Sequence, residues 1–535
     1  EPLHQLARTL GYTTDEGFLA AWRAHAATAR RLHEKLLYRP LLDAVTRVST
    51  AELRMTESEA ASRLAVLGFA DPDSALTHIR RLTAGIGRTA TVQRALLPVV
   101  LHELADSPEP DRGLLAYRQV SDKLGSTPWY LRLLRDGGPA AVRLARLLGT
   151  SRYFTALLLH VPQSLRFLSD NADLEPKSRD GLAAGMRQAV ARHVDATDAV
   201  AAVRAIRRRE LIRIAAADLL GLLDDQQVGL ALSDLVDAVL DATLAVASRD
   251  VPDAPPIAII GMGRLGGRET GFGSDADVVF IHNGEGDAQR KAAGRIVEAV
   301  KSLLAAPTAD PPLEIDLGLR PEGKGGPIVP SLAAYERYYS DRARLWERQA
   351  LLRARAVAGD QGLLDQWAEA ADAVRYRPGG LSEAERIEFR RVKARVDSER
   401  LPRGADPNGH TKLGRGGLVD IEWAAQLLQL EHGDEPLMRT TRTVPALEAA
   451  AAAGHLDTTS LEDLRAAWEF VSRVRNDMTL ARGVPRDELP RSGPELTALA
   501  QTLGFGSDTQ EFLNHYRRLT RLAHEAAHRI VYGPT

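Results

Sequence analysis

At 535 residues the chain holds about three or four domains at roughly 150 residues each, and its 44% hydrophobic and 26% charged residues exclude the disordered and collagen-like classes. A formal net charge of −2 removes the composition-level argument for nucleic acid as the main partner. The absence of cysteine excludes disulfides, thiolate zinc sites and a cysteine nucleophile, and with no apolar run approaching about 18 residues the chain reads as cytoplasmic, without a membrane partner.

In chain order, the first informative feature is a repeat. Segment 3–38 is similar to segment 496–532: Leu6, Ala7, Leu10, Gly11, Tyr12, Phe18, Leu19 and Tyr38 meet Leu499, Ala500, Leu503, Gly504, Phe505, Phe512, Leu513 and Tyr532, with one inserted residue. With Glu1 in place of an initiator Met, this predicts the trailing part of an upstream unit followed by a full copy, the second half of a tandem duplication. Long stretches such as 196–223 and 441–485 carry apolar residues at spacings of three and four and predict helices. Arg204, the run Arg207-Arg208-Arg209 and Arg213 read as a solvated helix face rather than a docking patch.

Around 251–330 the helical texture breaks. Gly and Pro concentrate, short β-type runs are predicted at 257–260, 277–281 and 313–319, and an amphipathic helix at 288–305. Gly261-x-Gly263-x-x-Gly266 has the spacing of a dinucleotide-binding fingerprint, but glycines interrupt the residues that follow and leave no room for the crossover helix. Asp275 and Asp277 stand two apart at the start of a strand, where a period of two points them to one side. Two close carboxylates repel unless a cation lies between them, and Mg²⁺ favours carboxylate and phosphate oxygens. In the later run Glu314–Arg320, alternation puts Asp316 and Arg320 on one face with Gly318 between. A Gly-rich phosphate cradle, Asp-x-Asp and a later strand Asp form a constellation for two-metal nucleotidyl transfer, with Arg320 and Lys324 placed to neutralise polyphosphate.

Further on, Trp346–Arg355 reads as a helix with Arg344, Arg348 and Arg355 on one face. Asp420 and Glu422 fall at a helix start, too far apart around it to chelate one ion, and are either structural or substrate-contacting. His524-Glu-Ala-Ala-His528 matches the zinc-protease helix motif. It lacks an apparent third ligand, and the opening repeat copy has Arg30, Arg31 and Glu34 at the matching positions, so it reads as an ordinary helical tail.

The motifs GMGRLGGRETGFGSDADVVF (261–280), EIDLGLRPEGKGGP (314–327), WERQALLRARAVAGD (346–360) and KLGRGGLVDIEWAAQ (412–426) occur in the order found in bacterial glutamine synthetase adenylyltransferases. The chain resembles that family over nearly its whole length, including the helical stretches 147–165 and 207–221. The resemblance implies an α+β, predominantly helical fold with a polymerase β-like nucleotidyltransferase mixed sheet flanked by helical domains. The expected divisions are a helical linker over 1–75, a helical lead-in over 76–250, the catalytic core over 251–360 and a helical bundle over 361–535.

It also implies Mg²⁺ held by Asp275, Asp277 and Asp316, the catalytic acids. ATP would be bound as substrate by Gly263, Gly266, Gly267, Ser274, Arg320, Lys324 and Arg348. Gly318 stands where the family often has Arg. In the family one unit attaches AMP to a tyrosine of glutamine synthetase and the other removes it by phosphorolysis, under control of the PII signal protein and glutamine. The repeat selects the AMP-adding second unit; the phosphorolytic unit and a noncatalytic helical docking module are the alternatives.

Overall fold

The computed structural model describes residues 57–533 apart from 126, 137 and 309, together with 2–10 and scattered positions between 12 and 25. Most of the opening repeat copy, including Arg30, Arg31, Glu34 and Tyr38, lies outside the described residues. The chain divides into two compact units: Glu1–Thr150 with Leu165–Asp170, and Ser151–Ser164 with Asn171–Thr535. The divisions expected at 75, 250 and 360 do not coincide with this one.

In the first unit, six helices run from Glu57–Val66 to Gly138–Thr150. Two of them, Pro110–Leu124 and Gly138–Thr150, approach so closely that a Cβ on Gly113 would lie 2.9 Å from the Gly149 Cα. Some of its buried polar atoms satisfy one another: the Tyr117 hydroxyl donates to Gln93 (2.8 Å), and Ser121 and Tyr130 share a hydrogen bond of 2.8 Å.

In the second unit the helices Arg152–His160, Asn171–Leu174 and Arg179–Val190 come before the long helices α1 (Ala196–Leu219) and α2 (Asp225–Ser248), which pack on each other. Asp195 caps α1, and Asp224 with Gln227 forms a capping box on α2. There follow β1 (Ile257–Gly261), the single turn α3 (Gly263–Gly266), β2 (Ala276–His282), α4 (Gly286–Ala305) and β3 (Ile315–Asp316). Next come α5 (Leu332–Asp341), α6 (Leu345–Leu351), β4 (Arg355–Gly359) and α7 (Gln361–Arg375). The sheet order is β3-β2-β1-β4. β1 is antiparallel to both β2 and β4, and β2 is parallel to β3. An antiparallel β1–β2 pair joined by one helical turn is not a dinucleotide-binding βαβ unit.

Alternation divides the strand side chains between two layers. Ala258, Ile260, Val279 and Ile281 pack with Tyr335, Tyr339, Leu363 and Trp367 of α5 and α7, while α2 packs on β4 and α4 on β2. The predicted helix at 288–305 is present. The third strand is shorter than expected, because Asp316 Oδ1 accepts a hydrogen bond from Gly318 N at 2.6 Å and turns the chain out of the sheet. The helix expected over Trp346–Arg355 ends at Leu351, and Arg355 starts β4.

The chain closes in a helical bundle of α8 (Glu383–Glu399), α9 (Leu418–His432), α10 (Thr443–Ala452), α11 (Thr458–Arg482) and α12 (Thr509–Tyr532). Its core includes Leu418, Ile421, Leu447, Trp468, Val471, Phe512 and Tyr516. Among the described residues no helix is long and apolar enough to cross a membrane.

Candidate active site

The Gly-rich segment after β1 makes a tight turn beneath the start of β2. Gly263 has a φ of 52°, and a Cβ there would lie 2.9 Å from Asp277 Oδ2, so the backbone sits directly against that carboxylate. Met262 N donates to the Asp277 carbonyl at 2.8 Å. Gly266 and Gly267 have a different surrounding: a Cβ on Gly266 would fall 1.9 Å from the Arg353 carbonyl oxygen, and one on Gly267 2.6 Å from the Arg353 guanidinium. Their small size lets the turn pack on Arg353. Ser274 Oγ accepts from Gly271 N at 3.1 Å and closes the turn that delivers Asp275 to β2.

Sheet register then brings the acids together. Asp277 on β2 is the direct partner of Asp316 on β3, with Ala276 opposite Ile315, and Asp275 immediately precedes β2. Asp275 and Asp316 are exposed, and Asp277 is half-buried. Burial first, then Asp316 and Asp275, push the Asp277 carboxyl up to about 6, against the opposing pull of Lys412 and Arg353. Among the described residues, no Lys or Arg forms an ion pair with any of the three acids. A mainly apolar cavity of about 400 Å³, lined in part by Tyr153, Phe272, Ser274, Asp275 and Pro485, opens beside them.

Buried charges fix the walls. Arg353 bonds Glu269 at 2.5 Å and also pairs with Glu422 on α9. Glu269 in turn accepts from Thr443 N at 2.6 Å. Burial opposes ionisation of Glu422, but Arg353 and Arg264 overcome it and hold the carboxyl below its usual range. Arg264 is pushed down to about 10, by burial and then by Arg475. Asp420 faces a different set, Lys393 (2.7 Å), His524 Nδ1 (2.8 Å) and Gly416 N (2.7 Å). Asp420 and Glu422 therefore each pin α9 to a separate neighbour, and His524 of the zinc-like motif serves the first of these clamps.

The other expected binding residues scatter. Arg320 lies in the turn after β3 and donates to the Leu317 carbonyl at 2.8 Å, so it does not share a strand face with Asp316. Lys324 is exposed in the short turn Gly323–Gly325. Arg348 is buried on α6 with Glu385 of α8 as its partner at 2.5 Å, and Arg355 pairs with Asp237 of α2 at 2.7 Å. These two are not on one helix face.

The arginines of α1 also differ from expectation. Arg207 and Arg213 are buried; Arg204 donates to the Ala306 carbonyl (2.8 Å), Arg207 to that of Pro311 (2.6 Å), and Arg208 to Asp310 (2.7 Å). Arg204, Arg207 and Arg208 fasten the segment that leads into β3 and Arg213 donates to the Asp173 carbonyl, while Arg209 alone is exposed as expected. Sequence reading missed Arg264, Arg353 and Lys412 as parts of the site. Arg264 lies inside the Gly-rich run Gly263–Gly267 and Lys412 two residues before Gly414, whereas no local feature marks Arg353.

A mixed four-strand sheet with a Gly-rich turn and three acids at its β2–β3 edge, set among helices, defines a nucleotidyltransferase-like fold. Residues 141–370 match the family model for glutamate-ammonia ligase adenylyltransferase, and residues 390–531 match that for PII-uridylyltransferase. The chain is 48% identical to a protein of Streptomyces coelicolor over 99% of its own length and 56% of that protein's. For a Cutibacterium acnes protein the values are 45%, 97% and 53%, and for one of Mycolicibacterium smegmatis 47%, 94% and 52%. All three are named bifunctional glutamine synthetase adenylyltransferase/adenylyl-removing enzyme. The chain is similar to these glutamine synthetase adenylyltransferases along nearly its whole length, and it spans about half of theirs.

Proposed function

We propose that this chain transfers AMP from ATP to a tyrosine hydroxyl of glutamine synthetase in the cytoplasm, releasing pyrophosphate. The observation that carries the reading is the convergence of Asp275, Asp277 and Asp316 through the β2–β3 register, without a cationic side chain paired to them among the described residues. Three carboxylates brought together, with Asp277 pushed up by burial and then by its neighbours, suit a hard divalent cation, and the three acids would hold Mg²⁺. When bound, that ion would neutralise polyphosphate charge and the charge developing on the leaving oxygen.

The chain's own groups do the rest. Asp316 is the base that takes the proton of the incoming tyrosine hydroxyl. The tyrosine oxygen bonds to the α-phosphorus, the bond from that phosphorus to the bridging oxygen breaks, and pyrophosphate leaves with the electron pair. Gly263 and Ser274 set the turn along which the phosphates lie, and Lys412, Arg320 and Lys324 are the cations available to the triphosphate. Arg348, paired with Glu385, acts by positioning α6.

The AMP-adding direction is supported by the second copy of the closing helical segment ahead of the catalytic unit, since in the family it is the second unit that adenylylates. The match of 390–531 to a PII-uridylyltransferase model supports the PII signal protein as a regulator; glutamine as a second regulator rests on the family resemblance alone. The test offers ATP with unmodified glutamine synthetase in one tube, and phosphate with the AMP-modified form in another. Pyrophosphate release with AMP gain in the first supports the proposal; ADP formed only in the second reverses the direction, and no reaction in either removes the catalytic reading.

A further inference from the structure

Away from the acids, three residues that the sequence does not group meet in the helical bundle. His432 ends α9, Glu435 stands before the short 3-10 turn Pro436–Met438, and His455 lies between α10 and α11. The two imidazoles stack with centroids 3.5 Å apart and planes 6° apart. His455 Nε2 is 2.6 Å from Glu435 Oε1, and one ligating atom from each residue lies within 4.8 Å of the others. All three are half-buried, so an ion can reach them from solvent. Of the neighbouring charges, Glu431 is taken by Arg386 (2.8 Å) and Arg439 by the Gly433 carbonyl (3.1 Å) and the Tyr376 ring, while exposed Asp434 adds a negative charge beside His432.

Two imidazole nitrogens and one carboxylate oxygen are borderline donors, the set that suits Zn²⁺ and its neighbours better than Mg²⁺. The stack itself leaves several ring nitrogens side by side with one carboxylate to serve them. We propose that His432, Glu435 and His455 bind a transition ion of the Zn²⁺ class, with water completing its shell, and that the ion ties the end of α9 to the α10–α11 connection. Both rings must turn out of the parallel stack to aim their lone pairs at one ion. In a chain without cysteine, no thiolate competes for that ion.

The test is a titration of the metal-free full chain with Zn²⁺ against a chromophoric chelator, with excess Mg²⁺ present to occupy the three aspartates. One equivalent should bind at submicromolar affinity. His455→Gln and Glu435→Gln should each weaken it at least about tenfold, while His528→Gln should leave it unchanged. Co²⁺ added to the wild-type chain should give the visible d–d bands of a low-coordinate nitrogen–oxygen site, a readout independent of how the variants fold. Zn²⁺ should raise the Tm of the wild type and not that of His455→Gln. Failure of the wild type to bind Zn²⁺ more tightly than tens of micromolar, or affinity unchanged in both site variants, would overturn the assignment.

Discussion

Asp277 is held between a strand that buries it and two carboxylates that repel its charge, while its partner across the register, Asp316, is exposed. Asp277→Asn keeps the shape and removes the charge, so AMP transfer should fall by two or more orders of magnitude, with a far-UV spectrum and Tm close to wild type. Wild-type turnover in this variant would remove Asp277 from the chemistry. A second group of acids gives a pH prediction. Burial pushes Asp225 up to about 7 and Asp477 up to about 6, only partly offset by Arg473. Folded-state values above the unfolded one mean that the protonated forms favour folding, fully below about pH 4, and that this contribution is lost as pH rises through 6 to 7. Asp225→Asn should therefore raise stability by about 1–3 kcal/mol at pH 8 and much less at pH 5, measured by urea denaturation at the two pH values.

Between elements, the site depends on clamps that span the sheet and its surrounding helices. The α1 arginines grip the 304–312 segment that delivers β3, and Arg208→Ala should shift Asp316 and lower AMP transfer about tenfold, with Arg208→Lys recovering part of it; unchanged rates in a kinetic assay would show that β3 holds its register alone. Arg353 ties the residues after α6 to α9 and, through Glu269, to the start of α10. Arg353→Met removes the cation paired with buried Glu269 and Glu422, leaving Arg264 and Lys412 near Glu422, and should cost about 3–5 kcal/mol, readable as a loss of Tm.

The parts of this scheme legible in the sequence were the local ones. Asp-x-Asp, the glycines before it and the strand Asp after it lie within short runs whose period fixes the side-chain direction. The β4 strand was not legible, because Arg-Ala-Val-Ala reads as helix until Val357 and Ala358 are buried against β1. Lys412 and Arg353 reach the site only through tertiary packing, and the arginines of α1 look solvated until the 304–312 segment lies across them.

For the molecule as a whole, the second unit contains the sheet, the three acids and the bundle whose α9 anchors them. The proposed activity, transfer of an adenylyl group onto a protein hydroxyl, rests on its fold, its acidic edge and its similarity to the adenylyltransferase relatives. The most direct measurement is the intact mass of glutamine synthetase after incubation with ATP, Mg²⁺ and either the wild-type chain or Asp316→Asn. The wild type should add the mass of one adenylyl group to a single tyrosine per subunit, and Asp316→Asn should leave the subunit mass unchanged over the same time. An unmodified subunit with the wild type, or equal modification by the variant, would contradict the account.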